Sequence, residues 1–129
     1  MTRIPRIFIV EDNFMYSYTL EAILKEQDNF SITSFASAEE CIELLDNNPD
    51  VIILDYNLDQ KMNGFDTFKL ILSIKPKIPI IILSGQTDLQ VAADLLKAGA
   101  FDYIQKKKMQ ETIDKLRYSI LNALNTINR

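Results

Sequence analysis

Five side chains able to do chemistry stand just after apolar segments of this chain. They are three carboxylates, a hydroxyl and an ammonium group, namely Glu11, Asp12, Asp55, Ser84 and Lys106. Three carboxylates within about 5 Å of one another repel by several kcal/mol, so a cluster of this kind needs a cation. Mg²⁺ suits it, because this ion takes oxygen ligands and typically binds one or two carboxylates together with phosphate oxygens.

A carboxylate beside a divalent ion, an ammonium group and a hydroxyl is equipped above all to attack a phosphoryl group. Asp55 would supply the nucleophilic oxygen, while Mg²⁺ and Lys106 would neutralise the oxygens of the phosphoryl group in transfer. Ser84 would add a neutral hydrogen-bond donor. These residue types therefore predict a phosphoacceptor site built from Asp55, Lys106 and Ser84.

The composition excludes several other chemistries. The 129 residues include no histidine, which removes Ser-His-Asp and Cys-His nucleophiles as well as imidazole metal ligands. The single cysteine, Cys41, cannot form an internal disulfide, and its place on an apolar helical stripe predicts a core position. A reducing, cytoplasmic setting is therefore expected.

Charge and hydropathy narrow the range of partners. A net charge of −4 makes nucleic acids and anionic membranes poor partners, because their phosphate fields repel an acidic domain. No apolar run approaches the roughly 18 residues that a membrane span requires. We therefore expect neither a nucleic-acid nor a membrane partner.

Short apolar runs alternate along the chain with segments whose apolar residues recur every three to four positions. These patterns predict strands at 7–10, 31–35, 51–54, 80–83 and 102–105, each followed by an amphipathic helix. Three of the strands are apolar at nearly every position, which indicates a parallel sheet covered on both faces. The expected fold is α/β, a doubly wound five-stranded parallel sheet of the (βα)5 flavodoxin-like type, in a single domain over residues 1–129.

The helical periodicity also predicts core faces and caps. Ser37 and Thr87 are the expected N-caps of the second and fourth helices, and the last stripe runs from Ile113 to Ile127. The expected buried residues of the third and fourth helices include Phe65, Phe68, Leu72, Ala92, Leu95 and Leu96.

The strands place all five chemical side chains at one edge, because ligands of an open parallel sheet bind beyond the carboxyl ends of its strands. In this order the motifs resemble the receiver domain of response regulators in two-component signalling, from about Arg6 into the last helix. The resemblance rests on Val10-Glu11-Asp12, Leu54-Asp55, Leu83-Ser84 and Asp102-Tyr103-Ile104-Gln105-Lys106. Each motif is weak alone, but the four in order at four strand ends are specific.

The resemblance implies a role for each residue of the metal site. Asp55 would be the phosphoacceptor, and Asp12 and Asp55 would bind Mg²⁺ directly together with the backbone carbonyl of Asn57. Glu11 would act on the ion mainly through water.

The resemblance also implies a switch. Ser84 would reach toward the phosphoryl group, and Tyr103 would turn inward when Ser84 moves. Asn57 and Gln86 occupy the positions that tune how long the phosphoryl group lasts.

The chain departs from the receiver pattern at three places. Lys107 stands where a proline in a cis peptide is usual, which leaves open whether the preceding peptide is cis or trans. The segment 58–64 is about one residue longer than usual and has Asp59 where proline is frequent, so partner fit or phosphoryl lifetime is expected to change. Ser84 replaces the commoner threonine and Gly85 the usual alanine, which is expected to loosen the loop.

The favoured hypothesis is a phosphorylation-dependent signalling switch. It would accept a phosphoryl group from a sensor histidine kinase or a histidine phosphotransfer protein and slowly hydrolyse it, which is phosphotransfer and autophosphatase activity rather than that of a conventional enzyme. Its output would be a protein contact with a downstream target at the face of the fourth helix, fifth strand and fifth helix, around Tyr103.

Two alternatives from other classes stand beside it. One is a receiver-like binding module that does not use phosphorylation, which the missing proline and the altered loop permit. The other is a flavodoxin-like cofactor protein, which is disfavoured because Glu11 and Asp12 would repel a phosphate after the first strand.

Overall fold

Five strands alternate with five helices in the computed structural model, which describes residues 3–58, 62–86 and 88–127. The strands are β1 (Arg6–Val10), β2 (Ser31–Phe35), β3 (Val51–Asp55), β4 (Ile80–Ser84) and β5 (Asp102–Gln105). The helices are α1 (Phe14–Gln27), α2 (Ala38–Glu43), α3 (Gly64–Ile74), α4 (Leu89–Lys97) and α5 (Met109–Ile127), and a 3₁₀ turn at Leu45–Asn47 follows α2. The predicted α/β alternation is confirmed.

The strands form one parallel sheet in the order β2-β1-β3-β4-β5. Its register aligns the carboxyl ends of β1, β3, β4 and β5, since Val10 pairs with Leu54, Asp55 with Leu83 and Ser84 with Gln105. Residues that end or follow these strands therefore share one edge of the sheet, where ligands of such sheets bind.

The three inner strands send alternate side chains to opposite faces, as the two-residue period of a strand requires. The layer beneath α1 and α5 receives from them Ile7, Ile9, Val51, Ile53, Ile81 and Leu83. The layer beneath α2, α3 and α4 receives Phe8, Val10, Ile52, Leu54, Ile80 and Ile82. Helices on both faces of a parallel sheet are the doubly wound arrangement that the continuous apolar runs predict.

Two predicted helix faces are wrong in part. In α3 the buried face runs at helical spacing from Gly64 to Ile71 and includes small residues. Phe65, which hydropathy assigned to this face, is exposed. In α4 Leu95 is buried but Leu96 is exposed.

The helix caps agree with the sequence at one position and differ at another. The Ser37 hydroxyl accepts the N–H of Glu40 at 3.3 Å and caps α2, as predicted. Thr87 lies outside the described residues, and Asp88 caps α4 by accepting the N–H groups of Gln90 and Val91, each at 3.1 Å.

The final helix α5 has 19 residues, and its predicted stripe is buried at Ile113, Leu116 and Ile120. The side chain of Ile127, expected at the end of this stripe, lies outside the described residues. Neither α5 nor any other helix of the described residues combines the length and apolar character that a bilayer span requires.

Candidate functional site

Three carboxylates meet at the carboxyl edge of the central strands. Glu11 directly follows β1, where its N–H donates to the carbonyl of Phe35 at 3.0 Å, and Asp55 is the last residue of β3. Carboxylate oxygens of Glu11, Asp12 and Asp55 all lie within 4.8 Å of one another. The spacing expected from the sequence is therefore present in the structure.

An ammonium group lies in contact with this cluster. Lys106 follows β5, and its Nζ lies 2.8 Å from Glu11 Oε1 and 3.5 Å from Asp55 Oδ2. Its backbone N–H donates to the carbonyl of Ser84 at 2.7 Å. Lys106 therefore reaches across the end of β4 to the two central strands.

The peptide between Lys106 and Lys107, left open by the sequence, is trans. The N–H of Lys107, which a proline would lack, donates to Thr112 Oγ1 in the first turns of α5 at 2.9 Å. The residue in place of proline thus contributes a hydrogen bond that ties the segment after β5 to α5.

The buried cluster is electrostatically strained. Burial, aided by the neighbouring Asp55, raises the pKa of Glu11 from 4.5 to about 7, although hydrogen bonds from Lys106 and the Asn13 N–H oppose the shift. Burial lowers the pKa of Lys106, but its hydrogen bond to Glu11 and the charges of Asp55 and Glu11 outweigh burial and raise it. The ammonium group of Lys106 thus supplies a single positive charge beside three carboxylates.

This donor set fits a hard divalent cation. All the clustered atoms are carboxylate oxygens, two of the three residues are buried, and their summed charge exceeds that of Lys106. Mg²⁺ and Ca²⁺ both prefer oxygen ligands, and Mg²⁺ is the one that usually binds through one or two carboxylates and phosphate oxygens. Glu11, Asp12 and Asp55 could hold such an ion.

A second group of polar contacts joins the segment after β3 to the segment after β4. The Asn57 N–H donates to Asp55 Oδ1 at 3.0 Å. The Asn57 side-chain oxygen Oδ1 accepts the Ser84 hydroxyl at 3.0 Å and the Gly85 N–H at 3.1 Å. Asn57 is therefore the contact between the Asp55 segment and the buried hydroxyl of Ser84.

The same contacts continue to β5. The Gln86 N–H donates to Ser84 Oγ at 3.2 Å, and the Tyr103 hydroxyl donates to the Gln86 carbonyl at 3.1 Å. The half-buried ring of Tyr103 packs against the layer beneath α2, α3 and α4. All eight predicted site residues thus lie in one connected region at the carboxyl edge of the sheet.

One side chain that contacts the site was not among the predicted site residues. Tyr16 was predicted only as part of the apolar stripe of α1, but its ring lies 4.4 Å from Lys106 Nζ, measured to the ring centroid. The spacing of Tyr16 five residues after Glu11, in the first turn of the next helix, was the available signal. Asp59, in the lengthened loop, lies outside the described residues, so the expected effect of that loop stays a prediction.

Comparison with known proteins gives a consistent set of matches. A family model described as the response regulator receiver domain matches residues 7–117. The chain is 36% identical over 106 residues to protein-glutamate methylesterase/protein-glutamine glutaminase 2 of Paramagnetospirillum magneticum, covering 78% of this chain and 30% of that protein. It is 30% identical to the C4-dicarboxylate transport transcriptional regulatory protein DctD of Rhizobium meliloti, covering 82% of this chain and 23% of that protein. The chain thus spans less than a third of the length of these relatives.

Solved structures match over nearly the whole chain. A response regulator receiver domain protein from Clostridium thermocellum has a TM-score of 0.82 at 31% identity, covering 97% of this chain and 98% of that one. The response regulator domain of Thermotoga maritima CheB has a TM-score of 0.84 at 26% identity, covering 95% of this chain and 98% of that one.

Proposed function

Because this chain belongs to the response regulator receiver domain family, we propose that it is a phosphorylation-controlled switch that accepts a phosphoryl group on Asp55. The observation that carries the proposal is the position of Asp55, a buried carboxylate that lies beside two further carboxylates and 3.5 Å from Lys106 Nζ. Such a carboxylate can be both nucleophile and metal ligand. We treat residues 1–129 as one receiver domain.

In the transfer, a carboxylate oxygen of Asp55 attacks the phosphorus of a phosphohistidine on the donor protein. The new O–P bond forms as the N–P bond breaks, and the electron pair of that bond returns to the imidazole nitrogen of the donor. Lys106 stabilises the negative charge on the phosphoryl oxygens. Ser84 Oγ leaves Asn57 Oδ1 and donates to a phosphoryl oxygen instead.

Asp12 and Asp55 would hold Mg²⁺ together with the backbone carbonyl of Asn57, and Glu11 would contact the ion through water. When bound, the ion supplies positive charge that the transferred phosphoryl group needs. The chain's own contribution is to orient these oxygens, which lie within 4.8 Å of one another at Glu11, Asp12 and Asp55.

The phosphoryl group then leaves by hydrolysis. Water attacks the phosphorus, the O–P bond to Asp55 breaks, and inorganic phosphate is released. Asn57 and Gln86 border this region through their backbone N–H groups, and their side chains would set the lifetime of the phosphoryl group by controlling how freely water approaches. The activity is slow autodephosphorylation of a signalling protein.

The switch would run from Ser84 to Tyr103. When Ser84 leaves Asn57, the Gln86 N–H that donates to Ser84 Oγ has to follow or find another acceptor. Because the Gln86 carbonyl accepts the Tyr103 hydroxyl, this movement reaches the face of α4, β5 and α5. That face would contact the downstream protein target.

A sensor histidine kinase or a histidine phosphotransfer protein would dock at α1. Three large apolar side chains in its first turns are exposed close to the carboxylate cluster, with Phe14 72%, Met15 67% and Tyr18 58% accessible. The Phe14 and Tyr18 rings stack with centroids 6.0 Å apart. Exposed aromatic side chains beside a reacting group are typical of a protein docking surface.

Intact mass spectrometry after incubation with acetyl phosphate and Mg²⁺ tests the phosphoacceptor. The wild type should gain one phosphoryl group, Asp55→Asn should gain none while staying folded, and Asp12→Asn should react more slowly and need more Mg²⁺. Asp46→Asn, at a carboxylate with 98% of its side chain exposed, is the matched control and should behave as wild type. Labelling of Asp55→Asn at the wild-type rate would contradict the role of Asp55, and a folded, unlabelled wild type would favour the binding module.

A further inference from the structure

We propose that Tyr16 is a positioning residue that holds the Lys106 ammonium group over the reacting carboxylates through the face of its ring. The inference rests on the proposed function of Lys106. The ammonium lies 4.4 Å from the Tyr16 ring centroid, within the distance at which a ring attracts a cation. Tyr16 is thus the third side chain in contact with Lys106 Nζ, after Glu11 and Asp55.

The ring has a fixed position relative to the carboxylates. The Tyr16 N–H donates to Asn13 Oδ1 at 3.0 Å, which caps α1 at its first turn. The Asn13 N–H in turn donates to Glu11 Oε2 at 3.1 Å. Glu11, Asn13, Tyr16 and Lys106 therefore form a closed ring of contacts, in which the helix start sets the place of the ammonium group.

The aromatic ring, rather than the hydroxyl, carries this role. Among the described residues the buried Tyr16 hydroxyl has no partner at hydrogen-bond geometry, although Thr112 is close enough to act on its pKa. Burial raises the pKa of Tyr16 despite the opposing charge of Lys106, so the phenol stays neutral. The ring packs against the apolar layer beneath α1 and α5, which leaves its face toward the ammonium group.

The ring matters because the other two partners of Lys106 would also serve the reaction. Glu11 and Asp55 would contact the bound cation and the phosphoryl group, and their attraction for the ammonium group would then be weaker. The ring keeps its quadrupole throughout. Two backbone hydrogen bonds fix the segment, which lacks the proline usual in receiver domains. The Lys106 N–H donates to the Ser84 carbonyl, and the Lys107 N–H donates to Thr112 Oγ1.

The test compares Tyr16→Leu with Tyr16→Phe, using intact mass after acetyl phosphate and Mg²⁺. Tyr16→Leu should slow phosphorylation about 2- to 30-fold, the range of a cation–ring attraction, and Tyr16→Phe should keep the wild-type rate. In a Lys106→Ala protein, Tyr16→Leu should cause no further loss, because Tyr16 acts through the lysine. Ile23→Ala, in the same helix and against the same apolar layer, is the matched packing control and should leave the rate unchanged.

Three results would overturn the proposal. They are an unchanged rate in Tyr16→Leu, an equal loss in Tyr16→Phe, and a further loss on adding Tyr16→Leu to Lys106→Ala.

A second measurement needs neither a variant nor a phosphoryl donor. In the wild type labelled with ¹³C-lysine, the Lys106 ε-methylene protons should resonate upfield because of the ring current of Tyr16. An ordinary lysine shift at Lys106 would overturn the proposal even if Tyr16→Leu failed to fold. A wild type that takes up no phosphoryl group contradicts the proposed function instead, and the resonance decides the position of Lys106 independently.

Discussion

At the residue scale, the site places three carboxylates beside the ammonium group of one lysine. Glu11 and Asp55 have only 2% and 4% of their side chains exposed, and both face Lys106. Removing the Glu11 carboxylate from water favours its protonated form, and the neighbouring Asp55 adds to this effect. A divalent cation bound beside these carboxylates would relieve this electrostatic strain.

This strain predicts how stability depends on pH in the absence of divalent ions. The pKa of Glu11 is about 7 in the folded chain, compared with 4.5 for an ordinary glutamate. Between pH 4.5 and about pH 7 the folded chain therefore binds more protons than the unfolded chain. The free energy of unfolding should therefore fall as the pH rises from about 5 to about 8, by at most about 3 kcal/mol. Urea unfolding in EDTA measures this slope.

Two variants make the pH prediction specific to Glu11. Glu11→Gln should remove the slope, while Glu26→Gln, at an exposed position of α1, should retain it. A wild type that becomes more stable between about pH 5 and about pH 8 contradicts the assigned shift.

The identities of the site residues could be predicted from the sequence, but their pairings could not. Glu11, Asp55 and Lys106 stand after apolar strands, so strand order alone brings them to one edge. The sequence does not reveal that Asn57 accepts two hydrogen bonds from the next segment, because side-chain rotamers decide this. Tyr16 was missed because a tyrosine on an apolar stripe is typical of a core residue.

At the element scale, α3 begins in close contact with the segment after β3. A Cβ added at Gly64, the first residue of α3, would lie 2.6 Å from Tyr56 Cα, and backbone atoms cannot move away cheaply. Gly64 therefore sets how closely α3 approaches the segment that carries Asp55.

Gly64→Ala should be destabilising for this reason. We expect a loss of about 1–3 kcal/mol in urea unfolding, the usual cost of overpacking, and a lower phosphorylation rate because the Asp55 segment shifts. Gly85→Ala is the matched control, since an added Cβ there meets nothing within 4 Å and should change stability by less than about 0.5 kcal/mol. Equal stability of the two variants would contradict the close approach at Gly64.

Strands were predicted better than helix faces, and the reason is physical. The inner strands are buried on both sides, so a continuous apolar run suffices to identify them. The helices have only one buried face, and an apolar residue beside that face looks the same in sequence as one on it. Phe65 is such a residue, because it is exposed in the structure and Lys69 Nζ lies 5.4 Å from its ring centroid.

At the scale of the whole molecule, the residues proposed for chemistry and those proposed for recognition share one end of the sheet. The exposed rings of Phe14 and Tyr18 on α1 lie on one side of the cluster, and Tyr103 on β5 lies toward the other. The family match confirms the receiver fold, while the docking role of α1 is our proposal.

If the donor protein docks at α1, one substitution there should change the rate of phosphoryl transfer from that protein but not from a small donor. Phe14→Ser should slow transfer from a phosphorylated histidine phosphotransfer protein by about fivefold or more, because an exposed aromatic anchor is worth at least about 1 kcal/mol. The rate with acetyl phosphate should not change, since this donor is too small to touch Phe14.

The matched control is Tyr118→Ser on α5, at an aromatic residue with the same exposure of 72%. It should leave both rates unchanged. An equal loss with both donors in Phe14→Ser would mean that the substitution disturbs the site itself.

The Asn57 amide oxygen belongs to the Asp55 segment and holds two groups of the Ser84 segment. In the proposed switch, phosphorylation would therefore reach the strand beside Tyr103 through this one side chain. The two apolar layers could stay packed while the edge of the sheet rearranges. Signalling would then need no repacking of the interior, which close-packed side chains would resist.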